Sequence, residues 1–223
     1  MNHAPATALP SNDEPWWATV EEFSNRETAL LRVFDWAGVE RLASEYFEKA
    51  ESAYAAALFS CSRASALAAL GRATESLEAH ELAERLAPIE PYFKLQVASR
   101  LIAEYGRPED GLAKLAEAEP LLEADMRPGW LSEKGLGLLA VGRDAEAVEC
   151  FRELARPERL ARIRNWDHIW LVDLRLVSRL IEKHLVPELC VAYLDAAAAI
   201  GARDPKGLEM VHKLLAQARG TGA

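Results

Sequence analysis

Cysteine is scarce, and the three that occur, Cys61, Cys150 and Cys190, stand far apart inside apolar helical patterns. An odd number at such spacing argues against a disulfide framework or a zinc site, and marks them as small packing residues. Positive charge is in deficit: 26 Lys and Arg against 35 Asp and Glu give a formal charge of −9. That balance opposes general binding to nucleic acid or anionic membranes. There is no apolar run of membrane-spanning length and no charged start followed by an apolar core, so the expectation is a soluble, cytoplasmic chain. A glycine-rich phosphate loop, a serine-nucleophile elbow and paired metal-ligand motifs are all missing. The histidines do not replace them. His80 sits in a packing position, while His168, His184 and His212 stand apart in sequence. Asp167 and His168 beside Asp173 are the one local grouping that could hold a metal or relay a proton, and such proximity is common on helices. The expectation is therefore no enzyme, no metal and no cofactor.

What is present is alanine and leucine in helical order. The stretch from Ala57 to Pro88 reads as two helices around Gly71, with Leu67, Leu70, Leu77, Leu82 and Leu86 as apolar faces and Pro88 as a stop. One such hairpin cannot bury its own faces, so neighbours are required. The pattern recurs on Gly38, Gly71, Gly106 and Gly142, at spacings of 33, 35 and 36 residues. Five residues after each glycine comes a small side chain: Ala43, Ser76, Gly111 and Ala147. Nine after come Phe47, His80, Leu115 and Phe151, and four before come Phe34, Leu67, Ile102 and Leu138. Three of the copies also place a small residue seven before: Ala64, Ser99 and Gly135. A fifth copy fits with Leu185 in the glycine's place, which puts Cys190, Leu194 and Ala197 at the later offsets.

Small residues are needed where two helices cross closely, since interaxial distances of about 8–10 Å leave no room for a large side chain at the contact. This alternation of small and large slots at this period resembles the tetratricopeptide repeat family over roughly residues 24–203, as counted from the slots. The resemblance implies an all-α fold, a right-handed α-solenoid of about five antiparallel helix pairs. The pairs fall at 25–37 with 39–52, the two helices around Gly71, 92–105 with 108–118, 130–141 with 143–155, and 167–183 with 187–200. A final helix, 206–218, would cover the open end. Residues 1–12 read as a disordered tail and 13–219 as one solenoid domain. Trp16 and Trp17 are expected to cap the core at its start. The Arg- and Trp-containing segment 156–170, with Arg162, Arg164, Trp166 and Trp170, reads as a longer linker whose tryptophans pack inward.

By the same resemblance a concave groove would carry Arg32, Trp36, Gln96, Arg100, Glu104, Arg175, Arg179 and Lys183 on first-helix faces. The implied role is a non-catalytic adaptor or chaperone-like module that holds a protein or peptide partner, with an acidic contact segment as the chemistry suited to those arginines. No nucleic acid or membrane is expected as a partner, and the oligomeric state is left open. An all-helical enzyme or enzyme subunit, and a self-assembling structural protein, are the alternatives.

Overall fold

The computed structural model describes residues 14–160, 171–199 and 205–220. The expected tail at 1–12, the side chains of Arg162, Arg164, Trp166, Asp167, His168 and Trp170, and the last three residues lie outside the described residues. Among the described residues there are twelve α-helices and no strand. They are α1 (Trp17–Leu31), α2 (Trp36–Glu48), α3 (Ala53–Ala69), α4 (Ala73–Leu86), α5 (Pro91–Ala103), α6 (Pro108–Ala118), α7 (Arg127–Ala140), α8 (Asp144–Leu154), the short α9 (Pro157–Leu160), α10 (Leu171–Glu182), α11 (Pro187–Ala199) and α12 (Pro205–Ala218). In sequence order α1 packs on α2, α2 on α3, α3 on α4 and α4 on α5, and further along α7 packs on α8 and α10, and α11 on α10 and α12. The chain divides into two compact units: unit 1 is Met1–Tyr105 with Ala116–Leu121, and unit 2 is Gly106–Leu115 with Leu122–Ala223.

Local chemistry sets the helix starts. Pro91, Pro108, Pro187 and Pro205 each occupy a first helical position, where the missing N–H costs nothing and φ is already helical. Ser52 caps α3 by accepting a hydrogen bond from the Ala55 N–H at 3.0 Å, and Asp35 caps α2 by accepting from the Gly38 N–H at 2.8 Å. The turns inside the pairs are closed by a residue in the left-handed region. At Gly71 and Gly142, φ is 75° and 78°, and the next N–H reaches back five residues, from Arg72 to the Leu67 carbonyl and from Arg143 to the Leu138 carbonyl.

Two of the expected turn positions move. In the first pair the left-handed residue is Phe34, at φ 56°, with the Asp35 N–H on the Leu30 carbonyl. Gly38 lies within the first turn of α2, where a Cβ would come to 2.3 Å from the capping carboxylate of Asp35. In the last pair two residues take positive φ, His184 at 56° and Val186 at 42°, on either side of Leu185. The small slot survives this correction in four copies. The fourth residue of α4, α6, α8 and α11 is Ser76, Gly111, Ala147 and Cys190, and each is buried. In α2 that place belongs to Val39, and Ala43 is buried one turn further on.

Unit 1 is organised by aromatic rings. Phe23 lies 4.8 Å from Phe59 and 5.4 Å from Tyr46, centroid to centroid, and Trp16 is buried against Tyr54 at 6.0 Å. Trp17 is half-buried beside it. Between α3 and α4, small hydroxyl side chains allow close approach and bond the opposite backbone: Ser76 Oγ donates to the Ala64 carbonyl and Ser60 Oγ to the Ala79 carbonyl, both at 2.8 Å. Unit 2 buries Trp130, whose Nε1 donates to the Leu115 carbonyl at 2.8 Å, and stacks Phe151 near Tyr193. Gly135 on α7 faces Leu176 on α10 so closely that a Cβ would lie 2.9 Å from a Leu176 methyl.

Unit 2 also holds a buried carboxylate. Asp173, at 1% exposure, accepts hydrogen bonds from Ser132 and from the Tyr193 hydroxyl, the latter at 2.7 Å, and faces the Arg159 guanidinium at 3.5 Å. This network ties α7, α9, α10 and α11 together. Burial and the neighbouring Asp173 push the Tyr193 phenol well above its ordinary range.

Candidate functional site

In unit 1 the first helices of successive pairs stand side by side: Phe23 to Phe59 joins α1 to α3, and Tyr54 to Phe93, at 6.0 Å, joins α3 to α5. Polar residues gather on them. Glu27 of α1 lies beside Ser62 of α3, and Cys61 lies beside Tyr92 of α5. From α4, His80 brings Nδ1 to 3.7 Å from the Cys61 sulfur. A cysteine beside a histidine invites comparison with a catalytic pair, which works as a thiolate with an imidazolium. Here burial pushes the Cys61 thiol up to about 11. Burial, with a smaller push from Arg100, lowers His80 to about 3. Both are neutral at pH 7, so the pair is a hydrogen-bonded packing contact and not an activated nucleophile. His80 Nε2 and Arg100 Nε are both buried without a hydrogen-bond partner.

The residues expected to face a groove fall into three groups. Arg32, at the end of α1, is exposed and pairs with no carboxylate among the described residues; Trp36 opens α2 and Gln96 sits on α5, both half-buried. Arg100, Arg179 and Lys183 are engaged by the chain itself: Arg100 with Glu104, Arg179 with Glu182 at 2.8 Å, and Lys183 with Asp144 at 3.0 Å. Exposed pairs of this kind are worth about 1 kcal/mol or less and can exchange for a ligand. Arg175 is exposed on α10 and pairs with no carboxylate among the described residues.

Arg175 lines a cleft of about 510 Å³ in unit 2, between α10 and α12. Its floor is Leu174, Met210 and Leu214, and Met210 is 44% exposed, a thioether left open to solvent. Lys213 faces the same space, and among the described residues it has no carboxylate partner and Glu209, also in the lining, has no cation partner. Ser178, Glu182 and Gln217 complete the wall. Of the eight residues expected to face a groove, Arg175 alone lines this cleft, and none of the α12 residues was among them. The missing signal is tertiary: α12 reads from its periodicity as a cover for the end of a stack, and nothing in that period places Lys213 opposite Arg175.

By contrast, the depression of about 380 Å³ between α1 and α2 sets Arg26 and Arg41 among Asp35 and Glu45, so its charges balance. Among the described residues no group of three His, Cys, Asp or Glu side chains is placed to hold a metal, and no helix is long and apolar enough to cross a membrane. Compared with known proteins, the chain matches no protein-family model and no curated protein sequence.

Proposed function

We propose that the chain is a non-catalytic protein-interaction module, as its resemblance to tetratricopeptide repeats implies, and that the cleft between α10 and α12 receives a short peptide segment in which a carboxylate adjoins an apolar side chain. The carrying observation is the convergence there of Arg175 and Lys213, both without a carboxylate partner among the described residues, on an apolar floor with an exposed methionine. Most other arginines of this acidic protein lie within ion-pair distance of an Asp or Glu. Arginine can hold a carboxylate through two parallel hydrogen bonds, and methionine repacks around apolar groups of varied shape. The Cys61–His80 pair supplies no thiolate, which supports a binding role over a catalytic one for unit 1.

Selection from a displayed library of random peptides on the immobilised full chain tests this reading. Enriched sequences should join Asp or Glu to a Leu, Met or Phe, and Arg175→Glu or Lys213→Glu should weaken them about tenfold or more, equivalent to at least about 1.4 kcal/mol. Absence of any enriched pattern, or affinity indifferent to both reversals, would sink it.

A further inference from the structure

The turn between α1 and α2 carries two features that folding does not require. Val33 and Phe34 are each 71% exposed, the most open large apolar side chains in the described protein. Phe34 also occupies the left-handed region at φ 56°, in the position that glycine fills at 71 and 142. An aromatic there is strained and gains nothing from burial, so neither local conformation nor the core accounts for it. His184 and Val186 also take positive φ, but His184 is polar and Val186 is half-buried, so neither exposes a large apolar side chain as Phe34 does.

The flanking residues give the turn a polarity. Arg32, a cation with no carboxylate partner among the described residues, precedes the apolar pair, and Asp35 places a carboxylate directly after it. The cleft between α10 and α12 offers the complementary groups: the acid Glu209, an apolar lining of Met210, Leu174 and Leu214, and the cations Arg175 and Lys213, none of these charges paired among the described residues. The turn's acid and its cation each find opposite charge in that lining, and a cleft of about 510 Å³ has room for the Phe34 ring.

We propose that the Val33–Phe34 turn of one copy docks in the α10–α12 cleft of a second copy, Phe34 on Met210, Asp35 toward Arg175 and Lys213, and Arg32 toward Glu209. This rests on the reading of the cleft given above and names its occupant as the chain itself. The surfaces joined are different, so the contact is heterologous and leaves a free turn and a free cleft on each pair. A contact this small is weak and concentration-dependent.

Sedimentation of the full chain from micromolar to near-millimolar concentration provides the test. The wild-type mass should rise with concentration. Phe34→Gly should hold the mass at one chain while melting no lower than wild type, because glycine relieves the left-handed strain; Arg175→Glu with Lys213→Glu should also hold it at one chain. Mixed in equal amounts, these two variants retain one intact cleft and one intact turn between them and should form a complex that stops at two chains. A wild type that stays at one chain throughout, association that survives Phe34→Gly, or a mixture no heavier than its parts overturns the proposal. Library peptides bind the Phe34→Gly protein through its unaltered cleft, so the cleft reading stands or falls separately.

Discussion

Where α3 meets α4 in unit 1, Cys61 and His80 face each other buried and neutral, as thiol and imidazole. In unit 2, α10 buries the carboxylate of Asp173, held by Ser132, Tyr193 and Arg159. The two centres fail in different ways. A neutral buried base costs little at pH 7 and becomes a liability only when the solvent offers protons. A buried carboxylate is expensive from the outset, and its partners are stranded if it is removed.

The largest effect should therefore come from Asp173→Ala, which leaves the Tyr193 and Ser132 hydroxyls without their acceptor and Arg159 without its counter-charge. The expected loss is about 3–5 kcal/mol by chemical denaturation, and Asp173→Asn should lose less because one acceptor oxygen remains. Native-state thiol labelling localises it. Cys190 is fully buried in unit 2 and Cys61 buried in unit 1, so Asp173→Ala should accelerate labelling of Cys190 far more than of Cys61. Equal acceleration would show that the units open as one and would remove the contrast.

The matching weakness of unit 1 is acid. His80 binds a proton at its ordinary value of 6.5 when unfolded and only near 3 when folded. Above pH 6.5 neither state is protonated there and nothing is lost. As pH falls from 6.5 toward 3 the unfolded state takes up the proton first, and stability drops by about 1.4 kcal/mol per pH unit, or about 3 kcal/mol by pH 4.5. His80→Leu should flatten that part of the stability profile. An unchanged slope in the variant would mean that the acid sensitivity resides in other groups.

Next in size is a close helix crossing in unit 2. Gly135→Ala places a methyl carbon 2.9–3.0 Å from the side chain of Leu176, which is itself fully buried and has nowhere to retreat. Overpacking of this kind costs about 1–3 kcal/mol. If Gly135→Ala melts like wild type, α7 and α10 are less tightly apposed than they stand.

Much of this was legible in the sequence because the repeat puts the same physical demand on the same slot. Ser76, Gly111 and Ala147 are buried at matching helix positions, and the helices around Gly71, Gly106 and Gly142 begin and end close to where glycine and proline place them. The first pair was misregistered for a specific reason. Phe34 takes the left-handed place that glycine fills at 71, 106 and 142, while Gly38 is glycine because Asp35 caps over it. The start of α3, weakly marked by glycine or proline, is set by Ser52 as its cap. Of the site, Arg175 was visible from its helical face. Lys213 and Met210 were not, because only the packing of α12 on α10 brings them there.

The smallest effect should be common to both units and so tests whether the contrast is confined to their buried polar centres. Gly71 closes a turn in unit 1 and Gly142 a turn in unit 2, at φ 75° and 78°, and around each a new Cβ would meet nothing within 4 Å. Alanine at either place therefore adds no clash with the rest of the protein. What it adds is the intrinsic penalty of an L-residue in the left-handed region, about 1–2 kcal/mol, offset slightly because alanine has less freedom to lose on folding than glycine. The two substitutions should lower the denaturation midpoint of the transition they report on by similar amounts. Phe34→Gly, at the corresponding turn, should shift it the other way or not at all. If Gly71→Ala and Gly142→Ala differ by more than about 1 kcal/mol, the turns of the two units carry unequal tertiary load, and the division between them reaches into the backbone as well as the buried charges.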